Sequence, residues 1–436
     1  MKVRLMTLLL LLAAFGMAQT DVTLTYMTGN RGDDVELAQL VIDEYMAANP
    51  HTIGGEEYNV SVEVIAGPES ATDRLGLYLQ FFEAQSDDVD IFEIDVIWPG
   101  DLAEHLVDLS QYEGVSEAAA EFFPAIVENN TVDGALVGMP YFTDAGLLYY
   151  RADLLEKYGF DGAPATWSDL ETMAATIQEG ERAEGNADFW GFVWQGNAYE
   201  GLTCDALEWI DSFNGGTIIS SDGVITVNNE NAVAALETAA GWVGTISPPG
   251  ITGFQEEDAR NLFQAGNSAF MRNWPYAYSL GQADDSAVQG LIGITTLPAA
   301  NMDGASPAAT LGGWQLGASA YTEFPQVAAD VILYITNYDN QLRNAVDNSK
   351  LPTRPAVYDD ETLLASDVSW FNDLLPVFIN AVARPSTISA PQYGETSRLF
   401  FTAVHNVLTG EEDAETALSL LELDLEALHG FEIGAP

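Results

Sequence analysis

From Asp21 the chain alternates apolar and polar positions over DVTLTYMT (21–28), changes to helical spacing over DDVELAQLVIDEYMAANP (33–50), and returns to alternation over YNVSVEVIAG (58–67). Asp33, with Glu36 three residues on, predicts a capping box at the helix start, and Asn49-Pro50 marks its end. Strand, helix and strand in this order predict a βαβ unit. A second follows, because TDRLGLYLQFFEAQSDD (72–88) has helical spacing and VDIFEIDVIWP (89–99) is a largely apolar strand stopped by Pro99. Further on, LVGMPYFTDAGLLYYRADLLEKYG (136–159) predicts an apolar strand running into a helix, and NAVAALETAAGWVGT (231–245) predicts another helix. The pattern is that of an α/β protein with parallel strands, whose ligands sit beyond the carboxyl ends of the strands. Asp95 and Trp98 fall at such an end. No internal repeat or low-complexity linker interrupts the chain, which predicts two lobes that exchange strands.

The first residues change the picture of where the chain works. MKVRLMTLLLLLAAFGMAQT places Lys2 and Arg4 before an apolar run and small residues at Gly16 and Ala18, the layout of a secretory signal peptide over residues 1–18. No cysteine follows the run, so a lipid anchor has no acceptor there. The expected product is exported and periplasmic or otherwise extracytoplasmic. Cys204 is the only cysteine, which rules out an intrachain disulfide and reads as a small buried hydrophobe.

Charge excludes whole classes of partner. Without Lys2 and Arg4, 12 basic residues face 66 acidic ones, a net of −54, and Lys157 and Lys350 are the only lysines left. Such a chain offers no basic patch to phosphates or anionic lipids, so nucleic acid and membrane surfaces are excluded. Self-repulsion of this size calls for salt, which screens over roughly 3 to 10 Å. A saline habitat is implied, and most of the acidic residues read as solvated surface.

Several chemistries have no support. His51, His105, His405 and His429 are scattered without metal-ligand spacing, and no nucleophile elbow, phosphate loop or dinucleotide fingerprint occurs. No cofactor or metal is expected. A carboxylate pair, Asp95 with Asp144, leaves glycoside hydrolysis open as a rival reading.

Six segments together carry a resemblance: DVIWPGDLAEHLVDLS (95–110), GMPYFTDAGLLYYRADLLEKYG (138–159), WQGNAYEGLTCDALEWIDSFNGG (194–216), MRNWPYAY (271–278), LGGWQLG (311–317) and ARPSTISAPQY (383–393). In this order they resemble extracellular solute-binding family 1, the sugar-binding proteins of ABC importers, and within it the trehalose/maltose-binding branch. The resemblance implies the two-lobe, maltose-binding-protein-like type II fold with three hinge crossings, near Asp144–Leu147, Ile294–Pro298 and Lys350–Pro355. Lobe one would hold residues 21–144 with 298–350, and lobe two residues 145–297 with 351–436.

It also implies sugar contacts. Arg74 and Asp95 would bond hydroxyls from lobe one, with an acid at the start of the first helix, Glu36, beside them. Phe142 and Asp144 match the YFTD strand end, and Trp274 and Trp314 match stacking aromatics. The Gly312-Gly313 backbone would approach closely, and Arg384 would complete the polar set. Tyr141 stands where the family often has Trp, which alters one stacking surface. The implied role is a non-catalytic, monomeric protein that captures an α-linked disaccharide or related gluco-oligosaccharide and delivers it to permease subunits. A receptor feeding a chemotaxis sensor would share the same chemistry.

Simpler readings exist for several of these residues. Arg74 on a helix would be a surface ion pair, Asp144 a helix cap, and Trp98 lobe packing. Trp190, Trp194, Trp209 and Trp242 read as core. Asp95, on an otherwise apolar strand, needs a partner if buried.

Overall fold

The computed structural model describes residues 19–436; the expected leader over residues 1–18 lies outside them. Alternation in the first segment buries Val22, Leu24 and Tyr26 and makes the strand Thr20–Thr28. It pairs in parallel with Glu56–Ala66, Thr20 opposite Tyr58, and the helix Asp34–Ala47 crosses between them. That helix buries Ala38, Val41, Ile42 and Tyr45, the three- and four-residue spacing of one face. The expected capping box is absent. Asp33 makes no side-chain cap bond, and Asp34 instead turns inward, its Oδ2 accepting from the Arg31 backbone N–H at 3.0 Å.

The second helix runs Ala71–Glu83, started by Ser70, whose Oγ accepts from the Asp73 backbone N–H. The strand after it, Ile91–Asp95, is buried at all five positions and shorter than its apolar pattern. It stops because the Trp98 backbone N–H donates to the Asp95 carbonyl at 2.9 Å, closing a turn that leads into a helix begun by Pro99.

Seven strands form the larger sheet, in the order Leu351–Pro352, Met139–Ala145, Leu311–Ala318, Ile91–Asp95, Thr20–Thr28, Glu56–Ala66 and His51–Ile53. Only the pairs that Thr20–Thr28 makes, with Glu56–Ala66 and with Ile91–Asp95, are parallel. Leu311–Ala318 runs antiparallel to both neighbours, setting Trp314 opposite Asp95 and Gly312 opposite Asp144. The smaller sheet orders Ile292–Thr295, Leu147–Arg151, Ser268–Asn273 and Trp190–Val193. The segment 136–159 is therefore two long strands before its helix, and the chain changes sheets at Gly146.

Each sheet has its own hydrophobic core. One gathers Tyr26, Tyr78, Phe82, Phe92, Ile94 and Trp98 with Leu316 and Val331. The other gathers Tyr149, Trp167, Phe192 and Phe270 with Phe400, Val404 and Leu418 from the C-terminal helices Tyr393–Thr409 and Ala414–His429. Trp194, Trp209 and Trp242 meet edge-to-face within this second core, with centroids 5.0 to 6.3 Å apart. Residues 299–310, expected with the first lobe, run against the second core. The Ala299 N–H donates to the Ala165 carbonyl, the Ala300 N–H to the Ser212 carbonyl, and Ala309 is buried there. The small alanines allow this close packing where a hinge boundary was expected at Pro298.

Candidate functional site

Residues carried by elements of both sheets converge on one small cleft. Asp95, Asp144, Trp274, Gly312, Gly313, Trp314 and Arg384 line it together, although they span nearly 300 positions of sequence. Sheet topology brings them there: Asp95 ends its strand, Asp144 and Gly312 face each other where the two strands leave the larger sheet, and Trp274 follows the strand Ser268–Asn273 of the smaller one.

Glycine is required at the floor. Gly313 has φ +128°, and a Cβ there would lie 2.6 Å from the Phe142 carbonyl oxygen. A Cβ on Gly312 would lie 3.0 Å from Cζ3 of Trp274, so the bare backbone is what admits the indole.

Arg384 joins the two sides. Its Nη2 donates to Asp95 Oδ1 at 3.1 Å and its Nη1 to Glu200 Oε1 at 2.8 Å. Glu200, the first residue of the helix Glu200–Ser212, also accepts from the hydroxyls of Tyr393 and Ser397, each at 2.6 Å. Burial pushes the Glu200 carboxyl up, against the pull of Arg384 and with the push of Asp95. Across the cleft, Arg31 Nη1 sits 3.7 Å from Glu256 Oε1, which also accepts from Trp274 Nε1 at 3.3 Å.

Three expected contacts stand elsewhere. Glu36 is exposed on the outer face of its helix; the acid turned inward is Asp34, whose Oδ1 accepts from Lys350 Nζ at 2.6 Å. Burial works to raise the Asp34 carboxyl, but Lys350 and Arg31 outweigh it and hold it below its ordinary value. Arg74 shares the buried face of its helix with Ala71, Tyr78 and Phe82, which carries it beneath Trp314, its Cζ 4.3 Å from the ring centroid. It is paired with Glu93 rather than aimed into the cleft. Phe142 packs in the first core with Lys350 Nζ 4.5 Å from its ring centroid. Trp98 is core too, edge-on to Trp314 at 5.5 Å.

Arg31, Glu200, Cys204 and Glu256 line the cleft without having been singled out for it. Glu200 and Cys204 lie inside the recognised segment 194–216. Arg31 sits in GNRGDDVE, the stretch where an acid contact was expected at the helix start, and Glu256 sits in the acidic run FQEEDARN, among the residues that read as solvated surface. A larger cavity of about 170 Å³ shares only Gly312 with the cleft, but Phe123, Ile126, Leu375 and Phe378 give it apolar walls. Hydroxyl-rich ligands would lose hydrogen bonds there.

Asp144 is strongly shifted by its place in the cleft. Burial pushes its carboxyl up to about 7, partly offset by Arg31 and Lys350 and reinforced by Asp95 and Asp34. The folded chain thus keeps a proton that the unfolded chain, titrating near 3.8, gives up. Stability from this group is present at low pH and is lost as pH rises toward about 7, with a slope near 1 kcal/mol per pH unit. Denaturant unfolding at fixed salt between pH 5 and 7 should show that Asp144→Asn lacks this slope. Parallel pH curves for the two proteins would contradict it.

A family model described as bacterial extracellular solute-binding protein matches residues 42–370. A Deinococcus radiodurans protein named "Probable ABC transporter-binding protein" is 50% identical over 370 residues, covering 85% of this chain and 87% of its own. The chain belongs to this solute-binding family. Among solved structures, maltose-bound T. maritima MalE3 superposes with a TM-score of 0.86 at 39% identity, over 94% of this chain and all of its own. The GacH receptor of Streptomyces glaucescens shares the fold, with a TM-score of 0.79 at 21% identity over 95% of this chain and 99% of its own. The solute-binding protein thus has the maltose-binding-protein-like type II fold. No described helix is long and apolar enough to cross a membrane.

Proposed function

We propose that this chain is the extracytoplasmic sugar-binding component of an ABC importer, taking an α-linked disaccharide such as maltose or trehalose, or a related gluco-oligosaccharide. The observation that carries this reading is the cleft itself, where Trp274 and Trp314 from opposite sides meet a rim of Asp95, Asp144, Glu200, Glu256, Arg31 and Arg384. A sugar ring offers C–H faces that pack on indole and hydroxyls that both donate and accept. Charged partners make the stronger hydrogen bonds, about 1.5 to 3 kcal/mol each, and discriminate against a ligand lacking one hydroxyl.

The sugar would touch one lobe first, then bridge both and favour their closure about the strands near Asp144 and Leu311. Lobe one is built on the larger sheet and lobe two on the smaller, with residues 299–310 moving with lobe two. The closed monomer would dock on the permease, and its acidic surface would stay hydrated in saline surroundings. Maltose bound by the related MalE3 structure supports the disaccharide class. The role is non-catalytic, as membership of a solute-binding family supports; Asp144, its carboxyl pushed up to about 7, can donate as well as accept toward sugar hydroxyls.

Incubating the purified protein with maltose and trehalose tests this against glycoside hydrolysis. The sugars should be recovered intact while raising the melting temperature in a concentration-dependent way. Released glucose would favour the hydrolase.

A further inference from the structure

The guanidinium of Arg272 sits against one face of Trp274, its Cζ 4.0 Å from the indole centroid. The two residues are separated by one position at the end of a strand, so their side chains leave the backbone on the same side. Arg272 is 1% exposed and does not line the cleft. Its plane is fixed from every edge: Nη1 donates to Gln195 Oε1 at 3.1 Å, Nε to Glu208 Oε2 at 2.9 Å, and Nη2 to Glu208 Oε1, while Asp205 Oδ1 lies 3.0 Å from Nε. Gln195 is itself held, its Nε2 donating to the Arg272 carbonyl at 3.1 Å.

A buried cluster of this kind is weak evidence for stability, because desolvating its charges consumes most of what their attraction returns. What the cluster does supply is a rigid flat cation under an aromatic ring. The Trp274 backbone is fixed separately, its N–H donating to Asn273 Oδ1 and its carbonyl accepting from the Tyr149 hydroxyl. The ring itself is held at its edge by the Nε1–H bond to Glu256 Oε1 and on one face by the guanidinium. The opposite wall repeats the device: Arg74, fully buried, lies 4.3 Å beneath Trp314 and is tied to Glu93 and the Pro68 carbonyl.

We propose that Arg272 is a positioning residue for ligand binding: stacked on one face of Trp274, it holds the ring at the angle that presents the indole to a sugar in the cleft. This rests on the sugar-binding reading above.

Arg272→Lys keeps a charge for Glu208 but has neither the plane nor the fork. Maltose would be titrated calorimetrically into the full chain, Arg272→Lys, Trp274→Leu and the double variant, with each melting temperature measured. Arg272→Lys should lower affinity about tenfold in the presence of Trp274 and by less than about twofold when Trp274→Leu is also present. Equal losses in both backgrounds would reduce Arg272 to a general structural role and overturn the proposal, as would unchanged affinity. Should Arg272→Lys not fold, Glu208→Gln, which loosens the pin while keeping its shape, enters the same cycle with the same criteria. Absence of binding by the unsubstituted chain to maltose, trehalose and longer glucans would overturn the sugar reading itself; binding without coupling would overturn Arg272's part alone.

Discussion

Replacing Trp274 by alanine is expected to weaken maltose binding by about 100-fold or more, while moving the melting temperature of the unliganded chain only slightly. Trp274 is 5% exposed, yet it belongs to neither hydrophobic core. Its ring meets Gly312 of the hinge strand, Glu256 through its N–H, and the Arg272 guanidinium. Removing it opens space in the cleft that water can enter, not a sealed cavity, so the usual large penalty of a buried Trp→Ala change does not apply. Calorimetry and thermal melting of the same preparations check both halves. A large fall in melting temperature with affinity retained would make Trp274 a packing residue.

Arg384→Met should destabilise the protein by about 3 to 5 kcal/mol at pH 8. The arginine side chain is 2% exposed, and its partners Asp95 and Glu200 are 8% and 9% exposed. Methionine fills much of the same volume but leaves two buried carboxylates without a cation. Those carboxylates would then take up protons more readily, so the loss should shrink as pH is lowered toward 5. Denaturant unfolding at both pH values in the same salt measures it. Equal stability at pH 8 would mean that the two carboxylates are hydrated in solution, with the cleft open between them.

These two residues illustrate how far the sequence reaches. Alternation and helical spacing located the first βαβ unit to within a few residues because burial on one face leaves a direct imprint on hydrophobic pattern. Asp95 was legible for a related reason, as the charge that ends a largely apolar strand, although Glu93 two positions earlier is buried as well and pairs with Arg74. Arg74 was not, because helical periodicity shows which residues share a face and leaves open whether that face meets solvent, ligand or core. Glu36 missed by two positions, since only the backbone N–H of Arg31 and the distant Lys350 decide that Asp34 is the acid turned inward.

Arg31 and Glu256 were hidden by the composition itself. In a chain with 66 acidic residues, a carboxylate that enters a cleft looks like the many that face water. The path of residues 299–310 was equally hidden, because their alanines fit against either core and the choice is made by backbone hydrogen bonds to Ala165 and Ser212. What sequence pattern cannot express is adjacency across lobes, and the cleft is made of little else.

The most direct test of the central claim is calorimetric titration of a panel of mono-, di- and oligosaccharides, in salt high enough to keep so acidic a chain folded. Saturable heat at a single site is expected with maltose, trehalose or a related α-glucan. No heat with any sugar of the panel would contradict the account.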